Sequence, residues 1–144
     1  MNATMIVTIG FLIMEATNMI TLYFFPGSKY FNGVGVFKAW EKVKQDPEVH
    51  EFIKYLVNWV AGTKLIFILL LIVILLTAQE QTVFFTSIAM VVSIASFFWR
   101  LFPIIRKMDH NHQVDPKNYS TISGYMILVF IAAFLTAIVI SMAS

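Results

Sequence analysis

The sequence predicts an all-α, polytopic membrane protein with four transmembrane helices in an up-down bundle, forming a single transmembrane domain over residues 1–144. Its composition is 59% hydrophobic and 12% charged, whereas soluble domains have about 45–50% apolar and about 25% charged residues. Four apolar runs also reach the roughly 20 residues that a helix needs to cross a bilayer. Because these runs are continuous, they lack the alternation of polar and apolar residues that is typical of membrane β-strands.

The four predicted spans cover residues 5–25, 55–77, 82–105 and 122–143. A cleavable signal peptide has a basic start and an uncharged apolar centre. The first span has no basic residue before it and contains Glu15, so we expect it to be retained. The second span should start well outside the membrane, because Asp46 and Pro47 form a typical helix start.

A short amphipathic helix is predicted between the first and second spans, over residues 36–45. Phe37 and Trp40 share its apolar face, while lysines surround the other face. This pattern favours a helix that lies in the lipid headgroup layer, and the alternative is a helix that packs on neighbouring protein. Trp99, near the end of the third span, is predicted at the membrane interface as well.

The orientation follows from the basic residues, which concentrate on the cytosolic side of membrane proteins. Eight of the ten Lys and Arg residues lie in the segments 26–54 and 106–120, and none lies at the termini or in the turn 78–81. The sequence therefore predicts that these two segments are cytosolic and that both termini are periplasmic, extracellular or lumenal. A plasma or inner membrane is the favoured location.

Three charged residues, Glu15, Lys64 and Arg100, lie within the predicted spans. Charges inside a bilayer are costly and indicate a functional site by default. At a rise of about 1.5 Å per residue, Glu15 is about 15 Å and Lys64 about 12 Å from the cytosolic ends of their spans. Similar depth and opposite sign predict an ion pair. Arg100 is only about 8 Å deep, so its side chain could instead reach the cytosolic surface.

The predicted site is an intramembrane polar pocket that faces the cytosol. Polar or small residues follow one side of the first span and one side of the third, a pattern typical of close helix packing or of a hydrated cavity. Two cations against one carboxylate would favour a small anionic ligand or a lipid headgroup. The candidate ligand- or ion-binding residues are Glu15, Asn18, Asn58, Lys64 and Arg100.

Several kinds of chemistry are excluded or disfavoured. The chain has no cysteine, which excludes disulfides, thiolate metal sites and cysteine nucleophiles. The three histidines lie outside the predicted spans, so a haem held by two histidines within the bundle is not expected. The pair His110 and His112 is a weak metal signal without a third fixed ligand. We expect no catalytic residues, metal or cofactor, and no nucleic acid partner.

Two families share parts of this architecture. The position of Glu15 in the first of four spans resembles the carboxylate of the small multidrug exporters, whose cores have no counterpart of Lys64 or Arg100. The topology resembles that of the four-span eicosanoid and glutathione enzymes of the membrane, but their Arg, Asn and Glu motif is absent here. These resemblances cover the topology and one or two residues, and no family is assigned from them.

The leading functional hypothesis is a transport, channel or ligand-binding subunit that acts as an oligomer, because four short helices enclose little volume alone. In that hypothesis Glu15 is the ion- or proton-sensitive group, Lys64 is its partner and Asn18 is a coordinating amide. The alternative is a structural or accessory subunit of a larger membrane complex, in which the buried charges fix helix register. A membrane-embedded, lipid-modifying enzyme is the third alternative. Membrane lipids are expected partners in each case.

Overall fold

A computed structural model describes residues 2–143 as an all-α bundle, which confirms the predicted fold class. Four stretches of helix are long and apolar enough to span a membrane, and the third of them consists of two helices, α4 and α5. The helices are α1 Ala3–Phe24, α2 Ala39–Val43, α3 Pro47–Thr77, α4 Glu80–Ala95, α5 Phe97–His110 and α6 Tyr119–Ala143. The protein is therefore a multi-pass integral membrane protein.

The connecting segments 25–46 and 111–118 contact each other at one end of the bundle, which we call the loop end. At the opposite end, the terminal end, Asn2, Glu80 and Ser141 border one cavity. Helix α1 is central, since it packs against α3 on one side and α6 on the other, and α4 packs mainly against α6.

The core lies between α1, α3, α4 and α6. Its buried residues are Phe11, Leu71, Met90, Ile94 and Phe134. The ring of Phe11 makes edge-to-face contacts with three other rings, with centroids 6.4 Å from Phe67, 5.3 Å from Phe130 and 5.9 Å from Phe134. Because lipid is as apolar as these side chains, the bundle is stabilised by close packing of this kind more than by the exclusion of water.

The start of α3 agrees with the prediction. The Asp46 side chain accepts a hydrogen bond from the Val49 N–H at 3.2 Å, and Pro47 is the first helical residue. At about 1.5 Å per residue, the 31 residues of α3 extend beyond a hydrocarbon layer about 30 Å thick. The helix therefore projects past the membrane at the loop end, where it carries His50, Glu51 and Lys54.

The third span is divided at Ser96, which the sequence did not predict. The backbone N–H of Trp99 donates to the Ser96 carbonyl at 3.1 Å, a three-residue spacing that tightens the chain into a 3₁₀-type turn. Pro103 lies within α5 and has no N–H for the carbonyl one turn before it. The span therefore consists of α4 and α5 in succession.

The polar stripe predicted on the third span lies mostly outside the core, which corrects the expectation of an inward-facing stripe. Large side chains fill the core, and the Thr and Ser hydroxyls can face lipid because they bond to their own helix. Thr86 Oγ1 donates to the Thr82 carbonyl at 2.8 Å, and Ser96 Oγ to the Ser93 carbonyl at 2.6 Å. Exposed or half-buried are Thr82, Thr86, Ala89, Ser93, Ser96 and Arg100, and the buried face is Val83, Ser87, Met90 and Ile94.

The helix predicted between the first and second spans also differs from the one observed, both in its length and in the position of Trp40. Helix α2 has only five residues, too few to present a continuous apolar face to lipid, and Trp40 is turned into the protein with 5% of its surface exposed. The centroid of the Trp40 ring lies 5.1 Å from the centroid of the His50 ring. A Cβ atom on Gly27 would lie 2.8 Å from Trp40 Nε1, so a larger residue at position 27 would require the Trp40 ring to shift. The alternative, packing on neighbouring protein, therefore describes Trp40.

Phe37 is half-buried and packs edge-on against Tyr119, with ring centroids 6.5 Å apart. The backbone around it pairs with the second connecting segment. The Lys38 N–H donates to the Gln113 carbonyl at 2.9 Å, and the Asp115 N–H donates to the Val36 carbonyl at 2.8 Å. Residues 25–46 and 111–118 thus form one folded layer over the loop end.

Candidate functional site

Glu15 on α1 and Lys64 on α3 form an ion pair, in which the Lys64 ammonium donates a hydrogen bond to Glu15 Oε2. Their side chains are 15% and 27% exposed. Counted from the terminal end at about 1.5 Å per residue, Glu15 is about 18 Å from the start of α1 and Lys64 about 20 Å from the end of α3. The pair predicted from depth and sign is therefore present near the middle of the bundle.

A groove of about 570 Å³ borders the ion pair. It opens between α3 and α4, which contact each other little beyond the short connection between them. We call it the α3–α4 groove. Its walls are largely apolar, and Trp59, Thr63 and Ser93 at its edge are exposed. The lining consists of Phe11, Glu15, Trp59, Val60, Thr63, Lys64, Phe67, Met90, Ser93 and Ile94.

The other three predicted site residues lie elsewhere, which corrects the expected cluster. Asn58 is exposed and donates to the Lys54 carbonyl of its own helix at 2.9 Å. Arg100 is exposed and lies over the neighbouring Trp99 ring at 5.4 Å from its centroid. Because side chains on a helix point about 100° apart per residue, similar depth does not bring them to the same point. Trp99 is 76% exposed, and its position at the membrane interface stays a prediction.

Asn18 is buried but faces the loop end. Its Nδ2 donates to the backbone carbonyl of Phe31 at 2.5 Å. Both Phe31 and Asn32 have left-handed backbone, with φ of 53° and 57°, and the Gly33 N–H donates to the Tyr30 carbonyl at 3.1 Å. Two successive positive φ angles with this hydrogen bond define a type I′ turn. Since a bulky residue such as Phe is strained at positive φ, the Asn18 amide holds the turn in place.

A second cavity, of about 620 Å³, lies beside this turn between α1 and α6. At its rim Lys29 Nζ lies 2.6 Å from Asp115 Oδ2, and Tyr119 Oη donates to Asn32 Oδ1 at 2.8 Å. The hydrogen bond to Asp115 raises the pKa of Lys29 and lowers the pKa of Asp115. Asn32 followed by Gly33 is a sequence signal for the turn. The cavity has no such signal, because it depends on contacts between segments that are distant in the sequence.

Asp109 connects the end of α5 to the start of α6 at the loop end. Its carboxylate accepts hydrogen bonds from the Asn118 N–H at 3.1 Å, from the Ser120 N–H at 3.0 Å and from Ser120 Oγ at 2.7 Å. His110 and His112 are exposed. Within residues 2–143, no three His, Cys, Asp or Glu side chains are grouped closely enough to hold a metal ion.

Comparison of the chain with protein-family models, with curated proteins and with solved structures finds no match. The arrangement of the ion pair, the grooves and the loop end is therefore the basis for a functional proposal.

Proposed function

We propose that the protein is a ligand-binding membrane subunit whose α3–α4 groove holds an amphipathic, lipid-like molecule. The observation that carries the proposal is the Glu15–Lys64 pair at the edge of a largely apolar groove. The apolar walls suit a hydrocarbon body, and the ion pair offers a cation and a carboxylate to a polar group. Transport of such a molecule, with the groove completed by a second copy of the chain, is the extended form of the proposal.

The charge of the site favours a neutral or zwitterionic polar group. Arg100 lies outside the groove, so one cation faces one carboxylate and the groove has no excess positive charge that would favour an anionic ligand. A Lys ammonium has three donor protons and a carboxylate has several acceptor positions. Both groups can therefore bond a ligand while they stay paired with each other.

The test is saturable binding of a brominated, single-chain phosphatidylcholine, which quenches tryptophan fluorescence on contact. Trp59 lines the groove and serves as the reporter in a Trp99→Phe background. Ser93→Phe should fill the groove and abolish saturable quenching. Val92→Phe is the matched control, because Val92 is the exposed neighbour of Ser93 and does not line the groove. Quenching that never saturates, or that Ser93→Phe leaves unchanged, would show that the groove holds no specific ligand.

A structural or accessory subunit is the second candidate, and the direct contact between Lys64 and Glu15 favours it. An ion pair that is already complete can fix the register of α1 against α3 without a ligand. If this candidate is right, replacing both charged residues with alanine should restore much of the stability lost in each single variant, and the groove should show no saturable binding. The two candidates therefore differ in the quenching experiment.

We further propose that the loop end faces the cytosol, with the termini on the opposite side. Eight of the ten basic residues lie in the segments at or next to this end, and short loops rich in Lys and Arg stay on the cytosolic side during insertion.

A further inference from the structure

Two adjoining cavities follow α5 and α6 from the membrane-spanning part to the loop end. The first, of about 290 Å³, has mostly apolar walls, and we call it the α5–α6 groove. The second, of about 420 Å³, is the basic cup. The two share Arg106, Ser120 and Thr121, so they form one continuous depression. The groove is further lined by Phe98, Phe102, Gly124, Tyr125 and Leu128, and the cup by Asp109, His110, His112, Lys117 and Asn118.

The α5–α6 groove depends on one glycine and a pair of aromatic rings. Phe98 and Phe102 lie one turn apart on α5, with ring centroids 5.3 Å apart. A Cβ atom on Gly124 would lie 2.9 Å from Phe102 Cε2, so the absence of a side chain at this position lets the ring rest on α6. The wall of the groove is therefore apolar, and it ends at Arg106.

The basic cup carries an excess of positive charge. Arg106 and Lys117 line it, and neither takes part in any of the ion pairs found among residues 2–143, which are Lys29–Asp115, Lys44–Glu41 and Lys64–Glu15. Asp109 is the one carboxylate in the lining, and its oxygens already accept hydrogen bonds from residues 118 and 120. The two cations are thus available to an anion.

We propose that this depression binds an anionic phospholipid, with the phosphate in the basic cup and one acyl chain along the α5–α6 groove. The shape agrees with such a lipid, because apolar walls within the span continue into a cationic cavity at the membrane boundary. Basic residues beside the membrane attract anionic lipids by about 1 kcal/mol per charge. A site with both features binds the anionic lipid in a fixed place, which surface charge alone does not do. The depression shares no lining residue with the α3–α4 groove.

The experiment uses tryptophan quenching by brominated lipids in phosphatidylcholine vesicles. The reporter is Tyr125→Trp, since Tyr125 lines the groove, in a background of Trp59→Phe and Trp99→Phe. Brominated phosphatidylglycerol should quench this reporter more than brominated phosphatidylcholine at the same mole fraction. Arg106→Gln and Lys117→Gln should each reduce the relative affinity for phosphatidylglycerol about fivefold, and Arg106→Lys should retain most of it.

The matched control is Lys42→Gln, which removes the same charge from the segment 25–46, since Lys42 is exposed and lies outside the depression. It should leave the preference for phosphatidylglycerol unchanged. Equal quenching by the two brominated lipids would overturn the proposal, because it indicates ordinary contact with surrounding lipid. An equal effect of Lys42→Gln and Arg106→Gln would also overturn it, since the preference would then come from general surface charge. Far-UV circular dichroism confirms that each variant is folded.

Discussion

Glu15 on α1 and Lys64 on α3 are paired with each other, so neither side chain leaves an uncompensated charge inside the bundle. An isolated charge inside a bilayer costs several kcal/mol, and the direct hydrogen bond between the two groups offsets much of that cost. The similar depth that predicted this pair follows from the fixed rise of a helix. For this reason the pair was the part of the site that the sequence could predict.

Removing one partner of this pair should be more damaging than removing both. Each of the single variants Glu15→Ala and Lys64→Ala leaves the other residue as an uncompensated charge. Each should therefore lower the free energy of unfolding by about 3 kcal/mol. The double variant leaves no charge and should regain much of that loss. Thermal unfolding of the four proteins of this cycle in one detergent measures the coupling. Additive losses would contradict an energetic link between the two residues.

The Asn18 amide and the strained turn beside it give a second prediction at this scale. Asn18→Ala removes the hydrogen bond to the Phe31 carbonyl and should cost about 1–2 kcal/mol, because it leaves a carbonyl unpaired. Phe31→Gly should instead raise the free energy of unfolding by up to about 1 kcal/mol, since glycine accepts a positive φ without strain. Chemical unfolding measures both. The control Tyr30→Gly changes the neighbouring exposed residue, which has no positive φ, and should not stabilise.

Asn18, Asn58 and Arg100 show what depth alone does not determine. All three lie in spans that the sequence identified, yet each points in its own direction around its helix. That direction depends on how the helices are rotated against each other, which follows from the packing of many apolar side chains. A helix that is apolar on all sides gives little periodic signal, so the sequence could place these residues along a span but not around it.

At the scale of whole elements, the same limit explains the stripe on α4. The buried face of α4 contains Val83, Met90 and Ile94, which fill space against α1 and α6. Small and hydroxyl residues were predicted to face inward because they often do so in membrane helices. Here the hydroxyls are satisfied within the helix, which removes the reason for them to be buried. The short α2 is a related case, because Trp40 packs on neighbouring protein instead of facing lipid.

The start of α6 depends on Asp109, which belongs to the helix before it. Its carboxylate accepts hydrogen bonds from two backbone N–H groups near the start of α6, groups that have no partner within the helix. Asp109→Ala should therefore cost about 1–2 kcal/mol, in the range of a lost helix cap. Asp109→Asn keeps an acceptor oxygen and should cost less.

Thermal unfolding compares these two variants with Asp46→Ala, which removes the analogous cap of α3. Similar losses of thermal stability in Asp109→Ala and Asp46→Ala would indicate that both carboxylates act as helix caps. If Asp109→Asn were as damaging as Asp109→Ala, the charge of Asp109 would matter more than its hydrogen bonds.

For the whole molecule, the contact between the two connecting segments should be insensitive to pH over a wide range. The hydrogen bond to Lys29 lowers the pKa of Asp115. The contribution of Asp115 to the stability of this contact is therefore present above the ordinary carboxyl pKa of about 3.9 and is lost as the pH falls through the lowered value. The same hydrogen bond raises the pKa of Lys29, so the contribution of Lys29 is present below the ordinary lysine pKa of about 10.4 and is lost as the pH rises through the raised value.

Hydrogen exchange of the Asp115 backbone N–H, which donates to the Val36 carbonyl, is the measurement. The ratio of exchange rates between Lys29→Gln and the unchanged protein should stay constant between about pH 5 and about pH 9. Toward lower pH the ratio should approach one, because protonated Asp115 no longer attracts Lys29. A ratio that changes steadily through neutral pH would point to a different titrating group.

The orientation of the whole bundle can be tested directly because the chain contains no cysteine. Single cysteines in place of Gln79 and Gln113 would report on the terminal end and the loop end, since both residues are exposed. In intact cells, a membrane-impermeant maleimide should label Gln79→Cys at once and Gln113→Cys only after permeabilisation. The reverse pattern would place the basic segments outside. It would also move the basic cup away from the cytosolic leaflet, where anionic lipids are concentrated, so the orientation decides which leaflet can supply the lipid that this cavity binds.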